Sequence, residues 1–364
     1  MKRHTIAAAA CGVIAGALAL PACAQTTVQI YGVVDTSISY LTNVDAAGHS
    51  VTRMNSVTGE LPSRIGFRGT EDLGNGLQAF FVLENGLSLD TGMTGQGNRL
   101  FGRAAQLGLK GAWGTLTLGR QLNMTYIAPQ KADVLGPSLF ALGSIDAYLP
   151  NARSDNAIGY MGNFGALVIG ATYSFGRDGS SAGGPPATNC PGEVPGNARA
   201  CRQYTGLVGW ETKGWGVTTS YDRMYGNTGA GGGLTSSANT DTRATLNGYA
   251  MLGTVKLGAG VIDRDLKAAT GRTESDLYYF GASYPFGAFT LDGQWAKRVT
   301  RHADLDATML VARLTYGLSR RTFVYTGVGR MTNDGTSAVP LDASGSVGPG
   351  KTQNGVMAGL RHHF

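Results

Sequence analysis

The stretch SRIGFRG, residues 63–69, sets Arg64 and Arg68 on one parity and Ile65 and Phe67 on the other. Successive side chains of a strand point to opposite faces. One face of this segment is therefore charged and the other purely apolar. A soluble sheet would bury the apolar face. A membrane-spanning sheet turns it toward lipid and keeps the charged face wet.

The same alternation recurs to the end of the chain. Val28, Ile30, Val34 and Ile38 oppose Gln29, Asp35, Ser37 and Ser39; Leu77, Ala79, Phe81 and Leu83 oppose Gln78 and Glu84. Leu310, Ala312, Leu314 and Tyr316 oppose Arg313 and Thr315 near the other end. This period of two predicts strands, and no long stretch carries the period of a surface helix. Seven short turns, near 72–76, 111–114, 162–165, 212–216, 256–258, 285–288 and 318–321, alternate with eight longer polar stretches. The latter lie near 42–60, 88–98, 122–152, 177–203, 226–243, 265–274, 299–305 and 332–352, and the fifteen connections imply sixteen strands.

An even number of strands, with turns at one end and loops at the other, predicts an all-β fold: a 16-stranded antiparallel transmembrane β-barrel. Three features favour it over a soluble sandwich. Trp113, Phe164, Trp215, Phe286 and Phe289 gather beside the short turns, as an interfacial girdle would. The chain stops on a strand, VMAGLRHHF, with Val356, Leu360 and Phe364 on one parity, so pairing it with the first strand would remove both edges. Strands that alternate arginine with apolar residues suit a wet lumen and a lipid-facing exterior, and lipid forces closure because unpaired backbone groups cannot sit in it. With this topology Arg64, Arg68, Asp35 and Glu84 face the lumen, and a barrel this wide admits water.

Residues 1–24 have the form of a cleaved signal peptide: the basic start MKRH, the apolar TIAAAACGVIAGALAL, and Ala22-Cys23-Ala24 at the cleavage site. A lipoprotein signal ending at Cys23 is disfavoured by Pro21 just before it. The barrel is then expected to occupy 25–364, with no later run of 18 apolar residues and no room before the first strand for a plug domain. The formal net charge of +6 falls by two once Lys2 and Arg3 leave with the leader. The remaining charge is scattered and forms no basic run, which argues against nucleic acid. Export leaves Cys190 and Cys201 in an oxidising compartment, within a Gly/Pro/Ser-rich loop. They are expected to form a disulfide, because that loop has no histidine to complete a zinc site.

The segment 122–152 is unlike the other loops. It carries Tyr126, Leu135, Leu139, Phe140, Leu142, Ile145, Tyr148 and Leu149 among other apolar residues, too many for a solvated loop. It must pack either on the inner wall, narrowing the channel, or on a neighbouring subunit. The inner wall is the simpler place. Its Asp133, Asp146 and Lys131 would then face Arg64, Arg103 and Arg153 across a constriction, where low-dielectric walls focus the field and bias which ions pass.

VQIYGVVDTSISY, SRIGFRGTEDLGNGLQAFFVLENG, FGRAAQLGLKGAWGTLTLGRQ, RSDNAIGYMG and the terminal GLRHHF together resemble the general diffusion porins of Gram-negative outer membranes, in particular those of beta-proteobacteria. That resemblance implies a homotrimer in outer-membrane lipid, short periplasmic turns, long extracellular loops, and a third loop folded inward. It assigns Arg64, Arg103 and Arg153 to the constriction wall and Arg120 to the subunit contact. It makes Phe364 the signal read by the barrel assembly machinery. The chain departs from the enterobacterial branch, with Leu149-Pro150-Asn151 in place of that branch's loop motif and Val33 where it has a lysine.

The expected function is passive diffusion of small hydrophilic solutes and ions, mildly favouring anions, with no cofactor and no metal. A substrate-specific channel would use aromatics such as Tyr126 and Tyr148, but no ladder of them is evident. GSSAG, residues 179–183, matches a nucleophile pattern around Ser181, yet lies in a loop and lacks the strand-to-helix elbow that chemistry needs. His362 and His363 are adjacent on a strand and so cannot chelate together.

Overall fold

The computed structural model describes residues 27–56, 58–176, 190 and 192–364. The leader and the GSSAG segment with Ser181 lie outside the described residues. The strands are β1 Thr27–Leu41, β2 Val51–Met54, β3 Arg64–Gly74, β4 Leu77–Gly86, β5 Ala104–Gly111, β6 Gly114–Leu122, β7 Arg153–Phe164, β8 Leu167–Ser174 and β9 Gln203–Glu211. They continue with β10 Trp215–Tyr225, β11 Thr240–Leu252, β12 Val255–Ala268, β13 Gly271–Phe286, β14 Phe289–Thr300, β15 Ala307–Gly317, β16 Thr322–Asn333 and β17 Gln353–His363.

Each strand pairs antiparallel with its neighbours, and β1 pairs with β17 from Val33↔His363 to Leu41↔Gly355, which closes the sheet. β2 and β3 are two pieces of one stave, because both pair with β1: Ile38↔Met54 near one end, Val33↔Arg64 and Thr27↔Thr70 toward the other. The barrel therefore has sixteen staves. Gly32 and Phe364 exchange backbone hydrogen bonds of 3.1 and 3.2 Å, so the last residue is tied into the seam. No described helix is long and apolar enough to cross a membrane, which says nothing about strands.

The two faces sort as the alternation requires. Val28 and Ile30 are 62% and 59% exposed on the outside, while Asp35 and Ser39 on the inside are fully buried. Arg64 and Arg68 share the inner face of β3; Arg68 pairs with Gln29 and bonds its side chain, and Gly66 sits opposite Glu84. The aromatics beside the short turns form an exposed girdle. Phe286 stacks between Tyr284 and Phe289 at 5.3 and 5.5 Å, Phe289 meets Tyr316 at 4.6 Å, and Trp113 stacks on Tyr160.

Two connections differ from expectation. The turn placed at 256–258 lies at Gly253, whose φ of 61° the tight turn requires. Gly258 instead makes room for the inward loop, since a Cβ there would collide with the carbonyl oxygen of Ala132. The polar stretch 265–274 is not a loop but the continuation of β12 and β13; Arg272 pairs across the hairpin with Asp265 at 2.8 Å and along its own strand with Glu274 at 2.8 Å. Its polarity reflects strands that rise beyond the apolar belt. Cys190 and Cys201 form a disulfide packed beside Ala230 and Leu234. His362 meets Thr322 and His363 meets the Phe323 ring, and no metal-ligating cluster occurs among the described residues.

Candidate functional site: the constriction

The segment between β6 and β7 runs into the barrel and packs on the inner wall. Leu135, Leu139, Phe140, Leu142, Ile145 and Leu149 are buried against wall residues that include Leu41, Ile262, Leu277, Met309, Tyr325 and Met331. Burying each large apolar side chain contributes roughly 1.5–3 kcal/mol, ample to hold a loop without long helices. The choice left open by the sequence, inner wall or neighbouring subunit, is thereby decided for this segment.

Polar contacts fix its course. At its start, Asn123 caps the short helix Met124–Ile127 by accepting from the Thr125 amide at 3.1 Å. A buried group ties both ends of the segment to β10: Tyr148 Oη and Thr125 Oγ1 donate to Asp222 at 2.8 and 2.7 Å, and Asn123 donates to Tyr148 Oη. At the tip, Arg313 is held by Asp292 at 2.7 Å and donates to the Leu135 carbonyl at 3.1 Å. Farther along, the Leu139 amide donates to the Gly59 carbonyl at 2.9 Å, so the segment linking β2 to β3 braces it from the side.

The facing wall carries the arginines. Glu84 Oε1 accepts from Arg103 Nε at 2.7 Å, Glu84 Oε2 lies 3.4 Å from Arg64 Nε, and Tyr31 donates its hydroxyl to the same carboxylate at 3.0 Å. One acid thus serves two arginines, which leaves the wall net positive. Arg64, Glu84 and Arg103 line a space of about 450 Å³ together with Tyr126, Gln130 and Asp133 of the inward loop. Arg153 stands behind that lining. It is buried, donating from Nε to the Arg103 carbonyl at 3.0 Å and from Nη1 to the Pro150 carbonyl at 3.3 Å.

The loop charges divide. Asp133 is half-buried on the lining and accepts from the Leu135 amide at 3.2 Å. Burial pushes its carboxyl up to about 6, opposed by hydrogen bonds from Gln294 and the loop backbone. Asp146 does not face the wall arginines. It pairs with Arg243 at 2.9 Å, itself 3.1 Å from Asp241. Burial works against its ionised form, but Arg243 and Arg264 outweigh it and hold the carboxyl well below the usual range. Lys131 is also away from the arginines: it reaches Glu211 at 2.5 Å over the Tyr249 ring, at the short-turn end. The charges on a loop do not reveal which wall each part of it meets, and this is why Asp146 and Lys131 depart from expectation.

Asp35 is on the inner face but sealed from the lumen. It accepts from the Glu60 and Leu61 amides and from Tyr325 Oη at 2.5 Å. Arg68 lies exposed below the constriction, 4.9 Å over the Tyr31 ring. Arg120 is on the outer parity of β6, bonded to Asp155 and, at 2.7 Å, to the Gly102 carbonyl. The functional residues that the sequence does not disclose are the anchors. Arg313 stands out there as an inward charge of unassigned role, while Arg243, Asp222, Tyr31 and Glu60 give no separate signal.

The chain matches the family model described as Gram-negative porin over residues 7–336. It is 29% identical to outer membrane porin protein 32 of Delftia acidovorans over 384 aligned positions covering the whole of both chains. It is 30% identical to an outer membrane porin protein of Bordetella pertussis, with 89% of this chain and 93% of the relative covered. Among solved structures, the anion-selective porin from Comamonas acidovorans superposes with a TM-score of 0.79 at 27% identity, over 93% of this chain and 100% of that one. The closed sixteen-stave barrel, its inward loop and these matches along almost its whole length agree: the chain belongs to the Gram-negative porin family and forms a channel in the outer membrane.

Proposed function

We propose that the channel passes small hydrophilic solutes and ions by passive diffusion, with a preference for anions set by Arg64 and Arg103 on the wall. The carrying observation is the charge balance at the constriction: two arginines share the single carboxylate Glu84, while burial pushes the Asp133 carboxyl opposite up to about 6 and so disfavours its charged form. Arg153 adds a third positive charge just behind the lining, and its field reaches the lumen through low-dielectric wall. The Comamonas porin is described as anion-selective, which supports the same sign.

The channel assembles, on this proposal, as a homotrimer with the outer-wall group Arg120–Asp155 at the contact. A charged side chain facing lipid is costly, and a subunit cover would remove that cost. Phe364 is recognised by the barrel assembly machinery during insertion, a role supported by its ring being exposed on the outer face at the seam.

The reversal potential of the purified protein in a planar bilayer across a salt gradient tests the proposal. Stepwise conductance with an anion-favouring potential is expected. A cation-favouring potential would overturn the assignment of the arginines as the selectivity element.

A further inference from the structure

Near the long-loop end of β8, β9 and β10, the outer wall carries an arginine–aromatic patch that the channel does not use. Outward parity puts Tyr173 and Phe175, Arg202 and Tyr204, and Tyr221, Arg223 and Tyr225 on one surface. Tyr173 pairs with Tyr204 and Tyr204 with Arg223, and the Tyr225 amide donates to the Arg202 carbonyl at 2.9 Å. Arg202 and Arg223 are thus diagonal neighbours across two strands, within common reach.

Their guanidinium groups lie on rings. The Arg202 guanidinium carbon is 4.9 Å from the Phe175 centroid and 5.8 Å from that of Tyr173, and the Arg223 carbon is 5.2 Å from that of Tyr225. Arg202 Nε donates to the Ala198 carbonyl at 2.8 Å, but Arg202 Nη1 and Arg223 Nε are covered and have no hydrogen-bond partner among the described residues. Among those residues, neither arginine makes an ion pair. Two outward arginines elsewhere are neutralised: Arg301 holds Asp263 and Asp276, and Arg272 holds Asp265 and Glu274.

Stacked guanidinium groups keep their in-plane donors free for a planar or tetrahedral anion. Two such groups without a carboxylate partner among the described residues, on the lipid side of the wall and within a belt of exposed tyrosines, lie at the depth of lipid headgroups. We propose that Arg202 and Arg223 form a binding site for the phosphate of a phosphorylated lipid headgroup in the outer leaflet. The rings of Tyr173, Phe175 and Tyr204 flank its upper acyl chains. The occupant is a lipid and not a dissolved anion, because the patch is on the outer wall, away from the aqueous channel.

The experiment measures lipid retained by the folded, heat-modifiable protein in dodecyl maltoside micelles doped with phosphatidic acid or with diacylglycerol of the same chains, counted by native mass spectrometry. The wild-type protein is expected to hold phosphatidic acid on the order of tenfold more tightly than diacylglycerol. The double variant Arg202→Gln/Arg223→Gln is expected to lose that preference with conductance unchanged. Arg202→Lys/Arg223→Lys, which keeps charge but not stacking, is expected to retain part of it. Equal retention of the two lipids by the wild type, or full preference in the glutamine variant, would overturn the site. So would displacement of phosphatidic acid by an equal concentration of inorganic phosphate. A change of oligomeric state in the glutamine variant with lipid preference intact would make the patch a subunit contact and likewise overturn the proposal.

Discussion

Arg103 donates its Nε hydrogen to Glu84 at 2.7 Å, and through this bond a single acid tempers the positive wall of the constriction. Neutralising Glu84 exposes that charge and neutralising Arg103 removes it, so the two substitutions shift selectivity in opposite directions. For groups on the order of 8 Å from the permeating ion, each charge changes its energy by about 0.5 kcal/mol even in bulk water. Glu84→Gln is expected to raise the anion-to-cation permeability ratio by about twofold or more, and Arg103→Gln to lower it by a similar factor. Reversal potentials of both variants in the same salt gradient check the pair.

Asp133 is the other negative group on the lining, and burial has moved its carboxyl up to about 6. It is ionised in mildly alkaline solution and neutral about one unit below that value. Anion preference is therefore expected to increase as pH falls across this interval, with a midpoint near 6. Asp133→Asn should be flat over the same range and already at the low-pH value. Reversal potential followed against pH in wild type and variant checks both statements.

Asp146 and Arg243 form a latch between the inward loop and β11. The carboxyl is depressed in the folded protein, so its contribution is complete above its unfolded value and is lost only as pH falls below that value toward the folded one. The latch therefore holds throughout neutral and mildly acidic conditions. Arg243→Gln leaves a buried carboxylate without its partner, a local cost on the order of 3 kcal/mol. Noisier open-channel current and faster proteolytic nicking between residues 136 and 150 are expected, with the barrel's heat-modifiability retained.

Gly258 allows the Ala132 carbonyl to rest directly on β12, and a methyl group there has no space. Gly258→Ala is expected to push the loop tip away from the wall and change single-channel conductance, while far-ultraviolet circular dichroism stays that of the wild type. An unchanged conductance would show that the tip does not set the bore.

Arg120 and Asp155 are paired on the lipid-facing parity of the wall. Arg120→Glu places two acids side by side there. The oligomer is expected to dissociate at a lower temperature on gels run without full denaturation, with each released barrel still folded.

The barrel is legible in the sequence because period-two alternation survives along the staves and both girdle and seam leave aromatic marks. Its faces follow from SRIGFRG alone. The inward loop declares itself through apolar residues that no solvated loop would carry. Arg64, Arg103 and Glu84 come together as parity and resemblance imply, since each lies on or beside a regular strand. Asp146 and Lys131 do not, because a 31-residue segment without a repeating geometry gives no rule for which wall each side chain meets. The hairpin at 265–274 is hidden for a related reason: where a stave leaves the membrane, its outward residues become charged and lose the contrast that marks a strand.

The inward loop leans on Gly59, and the neighbouring Glu60 carboxylate is gripped at 2.8 Å by Arg361, in the last strand of the chain. The aperture is thus calibrated by a contact between the last stave and the segment that joins the two pieces of the second, beside the seam where β17 meets β1. The strand that closes the seam is thus also the one that steadies the brace under the bore.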